Sequence, residues 1–310
     1  MTSISQPGGI GRIGELSVAR VGYGALSLAP GPTADTAVAL LRRALELGVN
    51  HIDTASFYAG GEVNRRIRRA LAPYRDDLVI VSKVGARHVS GADAPIVLAQ
   101  KPGELREAVE LDLAELGLDR ISVVNLRRAD IGPGLFAEGD QIIDLDDQLA
   151  ELIALRDEGK IGAIGISNVP LDTVRRAQPA GIVCVQNAYS LLDRTHEDGV
   201  AFCAAHDIAW APYFPLGSGF AGVPKVADNQ VVAQVANEIG ATPAQVGLAW
   251  LLAHSPNILL IPGTGSLAHL EENVGAGSIT LSTSAIDDLE RIQSDASTHG
   301  NGVQPLLDER

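Results

Sequence analysis

Residues 33–53 read Thr-Ala-Asp-Thr-Ala-Val-Ala-Leu-Leu-Arg-Arg-Ala-Leu-Glu-Leu-Gly-Val-Asn-His-Ile-Asp. The first fifteen have apolar residues at helical spacing, and one face carries Ala37, Leu40, Leu41, Ala44 and Leu47. Gly48 stands where a helix commonly ends. Asn50–Asp53 then forms a short run of strand length. The stretch therefore predicts a helix that leads directly into a buried strand.

The same helix-and-strand unit recurs along the chain. Eight short apolar runs are predicted strands: Val18–Tyr23, Asn50–Asp53, Leu78–Ser82, Ile121–Leu126, Ala163–Ile166, Ile182–Val185, Ile208–Pro212 and Ile258–Ile261. The predicted helices are Thr33–Leu47, Glu62–Leu71, Lys101–Leu116, Asp144–Glu158, Pro170–Ala177, Thr195–His206, Asp228–Ile239 and Pro243–His254. Strands that are apolar on both faces and alternate with helices predict an α/β fold, a (β/α)8 TIM barrel. A doubly wound open sheet is the alternative, but no G-x-G-x-x-G follows the first strand.

The two ends of the chain add smaller elements to this barrel. Residues 10–17 predict an N-terminal β-hairpin that closes the bottom of the barrel. At the other end we expect a C-terminal helix and a polar, mobile tail over residues 297–310. No Pro/Ser-rich linker or shift in composition divides the chain, so residues 1–310 are predicted to form a single domain.

Composition excludes several classes of partner. Lys and Arg number 24 against 38 Asp and Glu, a net charge of −14, which argues against nucleic acid and anionic membranes. Cys184 and Cys203 lie in apolar surroundings and predict buried thiols rather than a disulfide. There is no secretory signal and no apolar run of the ~18 residues that a membrane span needs, so we expect a cytoplasmic protein.

Polar residues at the C-terminal ends of barrel strands are candidates for function. Lys83 ends a buried strand, and a buried ammonium needs a partner such as Asp53. The cation is then expected to lower the pKa of nearby Tyr58 toward neutrality, so that the phenol can give a proton to a carbonyl oxygen. The structural alternatives are a lysine that reaches solvent, an aspartate that caps a turn and a tyrosine that only packs.

The run Asn50-His51-Ile52-Asp53-Thr54-Ala55-Ser56-Phe57-Tyr58, with Val81-Ser82-Lys83, resembles the aldo-keto reductase signature. The resemblance covers roughly residues 10–295 and includes Gly22-Tyr23-Gly24, Gly165-Ile166-Ser167-Asn168, Gln186-Asn187-Ala188-Tyr189 and Ile261-Pro262-Gly263-Thr264. It implies a single NADP(H)-binding barrel that reversibly reduces a small aldehyde or ketone. It also implies that Asp53, Tyr58 and Lys83 belong to a catalytic tetrad.

The fourth tetrad position departs from the family pattern. Where the family has histidine, the segment Asn125-Leu126-Arg127-Arg128-Ala129-Asp130 places Arg127. A guanidinium donates hydrogen bonds to a carbonyl oxygen and stabilises oxyanion charge, so Arg127 is the fourth catalytic candidate. An ordinary surface or salt-bridge arginine is the alternative. A subgroup, the bacterial pyridoxal reductases, is similar here and at residues 183–187, 213–217 and 249–264, which makes reduction of pyridoxal to pyridoxine the first expectation.

The resemblance also implies the residues that bind NADPH or NADP+. They are Gly24, Ala25, Ser167, Asn168, Gln186, Tyr213, Leu216, Gly217, Ser218, Gly219, Gly263, Thr264, Ser266, His269, Glu272 and Asn273. Ser167, Asn168 and Gln186 would contact the carboxamide and Tyr213 would stack on the nicotinamide, although Ser167 and Asn168 could instead cap the next helix. Gly263 and His269 stand where many members carry lysine and arginine, yet NADPH is still favoured over NADH. No metal is expected.

Two other functions stay open from the sequence. One is a reductase of broad specificity for other aldehydes, ketones or sugars. The other, from a different class, is a non-catalytic NADPH-sensing regulatory subunit, since a barrel of this kind does not guarantee chemistry. The sequence leaves the direction of the reaction and the oligomeric state open.

Overall fold

The chain forms a barrel of parallel strands surrounded by helices. This is a computed structural model that describes residues 6–29, 32–91, 96–132, 134–218 and 223–292. Its strands are β1 (Ile10–Ile13), β2 (Leu16–Ala19), β3 (Tyr23–Gly24), β4 (His51–Asp53), β5 (Val79–Val84), β6 (Ala86–His88), β7 (Ile96–Leu98), β8 (Ile121–Arg127), β9 (Ile161–Ser167), β10 (Ile182–Gln186) and β11 (Ala209–Trp210). The main sheet runs β11-β10-β9-β8-β5-β4-β3, and every paired neighbour is parallel.

Residues 258–260 close the barrel between β11 and the start of β3. Ile258 bridges Trp210, and Leu260 bridges Val21, both in parallel orientation. The Gly22 amide donates to the Leu260 carbonyl at 2.7 Å. The predicted (β/α)8 architecture is therefore confirmed, although the predicted eighth strand is reduced to two bridges. Each bridge satisfies backbone groups on both edges of the sheet, so the closed barrel leaves no open edge there.

The predicted first strand, Val18–Tyr23, has the wrong bounds. Leu16–Ala19 pairs in antiparallel register with Ile10–Ile13 and belongs to the N-terminal hairpin. Ile13 and Val18 of this hairpin are buried in the inner core cluster of the barrel, together with residues such as Val79 and Val123 from the strands. The predicted hairpin is confirmed, and its apolar side chains fill one end of the barrel interior.

Helices cover the outside of the sheet. They are α1 (Ala34–Glu46), α2 (Glu62–Leu71), α3 (Pro102–Leu116), α4 (Leu145–Asp157), α5 (Leu171–Ala177), α6 (Glu197–Ala205), α7 (Gln230–Ile239), α8 (Pro243–His254), α9 (Leu267–Gly275) and α10 (Thr283–Glu290). Side-chain caps set several of the starts; for example, Thr242 and Gln245 form a capping box at α8. The helix α10 is the predicted C-terminal helix, whereas the predicted tail over 297–310 lies outside the described residues.

The described residues contain no helix that is long and apolar enough to cross a membrane. Cys184 and Cys203 are buried free thiols, as predicted, and burial raises the pKa of each. One element was not predicted: β6 and β7 form an antiparallel hairpin directly after β5. This hairpin lies in the segment that connects β5 to the helix Pro102–Leu116.

Candidate active site

A buried ion pair lies at the mouth of the barrel, where β4 and β5 end. Lys83 Nζ is 2.5 Å from Asp53 Oδ1 and donates a second hydrogen bond to the Thr54 carbonyl at 3.2 Å. Both side chains are less than a tenth exposed. The alternatives in which the lysine reaches solvent and the aspartate caps a turn are therefore wrong, because burial makes each charge dependent on the other.

Tyr58 lies beside this ion pair. Lys83 Nζ is 5.2 Å from the centre of the Tyr58 ring, and Phe57 packs edge-on against that ring at 5.1 Å. The next residues, Ala59 to Gly61, all have positive φ and turn the chain sharply into α2. Glycine tolerates that conformation without strain, so two of the three positions suit the turn. The turn fixes Tyr58 between β4 and α2.

The pKa of Tyr58 moves in the direction opposite to the sequence prediction. Burial raises it, and the opposing effects of Lys83 and Arg127 do not compensate. The expectation that the pKa of Tyr58 is lowered toward neutrality is therefore wrong. Burial also lowers the pKa of Lys83, but the Asp53 carboxylate and Tyr58 together more than offset burial and the net pKa is raised. The site therefore pairs a protonated phenol with a protonated lysine at neutral pH.

Arg127 ends β8 and faces the same mouth. Its Nη1 atom is buried and has no hydrogen-bond partner among the described residues. Burial lowers its pKa, while Tyr213 and Tyr58 act in the opposite direction, which shows that all three side chains are close. The surface-arginine alternative is wrong. A buried donor without a partner is costly, so this atom is available for an acceptor on a ligand.

Gln186 ends β10 and contacts the ion pair from the opposite side. Its Nε2 donates to Asp53 Oδ2 at 2.8 Å, while its Oε1 is buried without a partner among the described residues. Ser167, at the same level on β9, is also buried. An acceptor and a hydroxyl thus remain directed at the barrel mouth, as a bound carboxamide would require.

Asn168 is already engaged with the protein. Its Oδ1 accepts a hydrogen bond from the Tyr213 hydroxyl at 2.6 Å, and its Nδ2 donates to the Ile131 carbonyl at 2.7 Å. It orients Tyr213, and its backbone adopts a positive φ of 63°. The alternative that Ser167 and Asn168 cap α5 is not found, since the N-cap is Pro170 without a side-chain hydrogen bond.

Two glycine-containing loops approach each other at the end of β3. A Cβ at Gly24 would lie 2.4 Å from the Ile261 carbonyl oxygen, and one at Gly263 would lie 2.5 Å from the Gly24 carbonyl oxygen. Neither position accepts a side chain without a backbone shift. Ala25, which follows Gly24, is buried. The backbone therefore requires glycine at position 263.

The N-terminus of α9 carries the predicted phosphate-binding residues. Ser266 is its N-cap and accepts a hydrogen bond from the His269 amide at 3.5 Å, while Thr264 Oγ1 accepts from the Ser266 amide at 3.1 Å. His269 is exposed on the first turn. Further along, Glu272 accepts a hydrogen bond from Thr242 at the start of α8, and Asn273 is buried. Hydroxyls and a helix N-terminus offer an anion site here with little formal positive charge.

The loop after Tyr213 contains the last predicted residues. Gly217 has a φ of 82°, and a Cβ there would lie 2.1 Å from the Pro224 carbonyl oxygen. Leu216 packs against the core, and Ser218 follows Gly217 half-buried. Gly219 lies outside the described residues. The close backbone approach at 217 explains why glycine is needed at this position.

Sequence reasoning missed two residues that shape the site. Gln100 Nε2 donates to the Arg127 carbonyl at 2.9 Å and to the Gly85 carbonyl at 2.6 Å, and so joins the ends of β5 and β8. Asn125 lies one pleat below Arg127, buried, with neither side-chain polar atom partnered among the described residues. An asparagine inside an apolar strand was the available signal for the second. The described ranges contain no group of three or more His, Cys, Asp or Glu that could hold a metal.

Comparison of the amino-acid sequence with known proteins identifies a family. The model described as the aldo/keto reductase family matches residues 20–294. Pyridoxine 4-dehydrogenase from Escherichia coli is 46% identical over 288 residues, which cover 90% of this chain and 96% of the relative. An uncharacterised oxidoreductase from Schizosaccharomyces pombe is 33% identical and covers 92% and 90%.

Solved structures show the same fold. An aldo-keto reductase from Klebsiella pneumoniae in complex with NADPH superposes with a TM-score of 0.77 at 27% identity, covering 95% of this chain and 99% of that one. An aldo/keto reductase from the same organism in complex with NADP and acetate gives 0.78 at 27% identity, covering 97% and 100%.

Proposed function

This chain belongs to the aldo/keto reductase family, and from that premise we propose that it reduces the carbonyl group of pyridoxal to the alcohol with NADPH. The observation that carries the proposal is the arrangement at the barrel mouth. A buried Lys83 is held by Asp53 and lies beside the Tyr58 ring, and Arg127, whose Nη1 atom is unpartnered among the described residues, interacts electrostatically with the same phenol. Acid, cation and oxyanion donor are thus within one pocket.

Proton transfer follows from the charge states of these groups. Burial keeps Tyr58 protonated, so the phenol can donate its proton to the carbonyl oxygen as negative charge develops there. The Lys83 ammonium then stabilises the phenolate that results, and Asp53 keeps Lys83 in place. Arg127 Nη1 donates a hydrogen bond to the same carbonyl oxygen and holds its position. In the reverse direction the Tyr58 phenolate accepts the proton of the alcohol, while Lys83, Asp53 and Arg127 keep the same roles.

The residues present fit a nicotinamide nucleotide. The free Oε1 of Gln186 accepts from a carboxamide NH2, and the Ser167 hydroxyl is placed beside it. Tyr213, held by Asn168, offers an aromatic face for the ring. Ser266, Thr264 and the N-terminus of α9 suit a phosphate, with His269 on the first turn. NADPH supplies the hydride when bound.

Pyridoxal is the favoured substrate for two reasons. The relative from Escherichia coli named pyridoxine 4-dehydrogenase is 46% identical across nearly the whole of both chains. In addition, Arg127 is half-buried at the barrel mouth, where its guanidinium can meet the phenolate oxygen that neighbours the aldehyde in pyridoxal as well as the aldehyde oxygen. A reductase that acts equally on many carbonyl compounds would not need this second anion contact.

The experiment is a comparison of initial rates of NADPH oxidation with pyridoxal, methylglyoxal, an aldose and nitrobenzaldehyde. We expect kcat/KM for pyridoxal to exceed the others by about tenfold or more, the discrimination that one additional charged contact provides. NADH is run in parallel and is expected to support slower turnover. Equal rates across the panel would show a reductase of broad specificity, and no turnover with any member would contradict the proposed reaction.

A further inference from the structure

A second hydrogen-bonded network lies behind the ion pair, on the outer face of the sheet between β5 and helices α2 and α3. Thr54 Oγ1 donates to Asn64 Oδ1 at 2.7 Å, and Asn64 Nδ2 donates to Asp112 Oδ1 at 2.7 Å. Ser82 Oγ donates to the other carboxylate oxygen, Asp112 Oδ2, at 2.6 Å. All four side chains are completely buried. Two of these three short hydrogen bonds end on the Asp112 carboxyl group, and Asn64 Nδ2 also donates a longer one to Glu115 Oε2 at 3.3 Å.

This network shares residues with the active site. Ser82 is the chain neighbour of Lys83, and Thr54 is the chain neighbour of Asp53. The Thr54 carbonyl accepts the second hydrogen bond of Lys83 Nζ from inside the barrel, while the Thr54 hydroxyl donates to the network outside it. Thr54 and Ser82 therefore connect Asp112 mechanically to both members of the ion pair through the barrel wall.

Asp112 is an unusual residue to find on this face of α3. The face otherwise carries Leu105, Val109 and Leu116, all buried at helical spacing with Asp112 among them. Burial raises the pKa of Asp112 to about 7. The hydrogen bonds from Ser82 and Asn64 and the charge of Lys83 oppose this rise, whereas the charge of Glu115 adds to it. Since the folded pKa lies above the usual value near 3.8, the buried carboxyl destabilises the fold increasingly as pH rises toward 7.

We propose that Asp112 is a positioning residue for the reaction, acting on Lys83 and Tyr58 through Ser82 and Thr54. The inference rests on the proposed carbonyl reduction. In its anionic form Asp112 adds negative charge behind Lys83, so less of the positive field of Lys83 reaches the Tyr58 phenolate as it forms. In its neutral form Asp112 donates a hydrogen bond to Ser82 and carries no charge. The positive field of Lys83 then acts on the Tyr58 phenolate undiminished. Carbonyl reduction therefore slows as Asp112 ionises.

Asp112→Asn removes the negative charge at this position and keeps the hydrogen bonds. The amide can accept from Asn64 and donate to the Ser82 hydroxyl, which is the pattern of the protonated acid, so the variant keeps both contacts and resembles the low-pH state. Glu115→Gln is the matched control. It lies on the same helix, also bonds Asn64 at 3.3 Å, and is paired with Arg65 rather than with a catalytic strand.

A readout that needs no substrate is the NMR signal of the Tyr58 Cζ carbon. The chain has five tyrosines, so the spectrum is simple, and Tyr58→Phe identifies the signal. With NADPH absent, we expect this signal to show an inflection near pH 7 in the wild type and none in Asp112→Asn. Glu115→Gln should keep the inflection at a somewhat lower pH, because the charge that helps to raise the pKa of Asp112 is then gone. A wild-type signal that stays flat through this range, or an inflection that persists in Asp112→Asn, would overturn the proposal.

Activity gives the second readout. We expect the single-turnover rate of carbonyl reduction to fall about three- to fivefold in the wild type as pH rises through 7, and to stay level in Asp112→Asn, with KM for NADPH unchanged. Thr54→Val, which removes the connecting hydroxyl, should lower kcat, and Thr54→Ser should restore it. If the wild type reduces no carbonyl compound the proposed function fails, whereas the NMR titration still decides the role of Asp112.

Discussion

At the scale of single residues, the four catalytic candidates depart from the pattern that the resemblance implies at one position, where Arg127 stands in place of a histidine. An imidazole near its pKa can change charge in the neutral range, whereas a guanidinium stays protonated. Here Arg127 is half-buried with Nη1 buried and unpartnered among the described residues, so under the proposed function it would meet a substrate oxygen as a permanent cation. This replacement gives the site two cations around one phenol, Lys83 and Arg127.

Replacing Arg127 by histidine tests this difference. Arg127→His keeps a hydrogen-bond donor but loses the permanent charge, so we expect kcat/KM for pyridoxal to fall about tenfold or more at pH 8, and to recover in part below pH 6.5 as the imidazole is protonated. Arg127→Met, which keeps the length without the donor, should fall about 100-fold at both pH values. Pyridoxal turnover equal to wild type in both variants would show that the arginine has no part in the reaction.

Residues at strand ends were the part of the site that the sequence predicted best. Asp53 and Lys83 are charged residues that end apolar runs, and burial forces such charges to pair. The pKa of Tyr58 was predicted in the wrong direction, because charge proximity can be read from sequence but the extent of burial cannot. The hydrogen bond from Gln186 to Asp53 joins residues 133 positions apart and depends on barrel closure.

At the scale of elements, strand register decides which side chains share the barrel interior. Lys83 is opposite Asn125, Asn125 is opposite Gly165, and Cys184 is opposite Gly165 on the next strand. A Cβ at Gly165 would lie 1.9 Å from Asn125 Oδ1 and 3.0 Å from the Cys184 carbonyl oxygen. The absence of a side chain on β9 is therefore what admits the Asn125 carboxamide below the active site.

Gly165→Ala should destabilise the barrel. The added methyl group displaces a buried side chain or the strand itself, and we expect the free energy of unfolding to fall by about 1–3 kcal/mol in urea denaturation. Gly103→Ala is the control, since nothing lies within 4 Å of a Cβ there and the residue is in the first turn of α3. Combining Gly165→Ala with Asn125→Ala should recover part of the loss. Equal stability of Gly165→Ala and Gly103→Ala would contradict the packing described.

Helices were predicted more accurately than the short strands. The start of α1 at Thr33 and the end of α3 at Gly117 are set by local capping, which the sequence shows directly. The first and eighth strands were misjudged, since Leu16–Ala19 belongs to the hairpin and residues 258–260 make only bridges. Pairing partners distant in the chain determine those bounds, and an apolar run does not identify its partner.

At the scale of the whole molecule, the last described helix is attached to the barrel by a cluster of charged and aromatic side chains. His254 Nε2 is 2.8 Å from Glu197 Oε1, and His254 Nδ1 is 3.4 Å from Glu290 on α10. Arg194 also pairs with Glu290 at 2.6 Å, and Trp250 donates to it at 2.9 Å. The cluster joins α6, α8 and α10.

The cluster predicts a pH dependence of stability. The hydrogen bond to Glu197 raises the pKa of His254, with Glu290 acting in the same direction against burial. A raised histidine pKa gives stability that is fully present below the usual value of 6.5 and is lost as pH rises through the folded pKa. We therefore expect His254→Gln to lower the melting temperature by a few degrees at about pH 6 and by less at about pH 9. The exposed His206→Gln serves as control, and a pH-independent difference for His254→Gln would contradict the prediction.

The chain has a net charge of −14, so the presence of two cations at one barrel mouth is the more significant. An acidic chain with four lysines nevertheless places a buried Lys83 and a half-buried Arg127 at one barrel mouth around Tyr58. Desolvating two cations is costly and is offset for Lys83 by Asp53, while Arg127 keeps an unpartnered donor. The whole architecture therefore favours a site built for a developing oxyanion.

The most direct test of this account is Tyr58→Phe, measured by stopped-flow single turnover with NADPH and pyridoxal. The ring and its packing against Phe57 are retained, and only the proton donor is lost. We predict that the rate of carbonyl reduction falls about 100- to 10,000-fold, while the Kd for NADPH from fluorescence titration changes by less than about twofold. A variant that reduces pyridoxal at a rate near that of the wild type would contradict the assignment of Tyr58 as the acid.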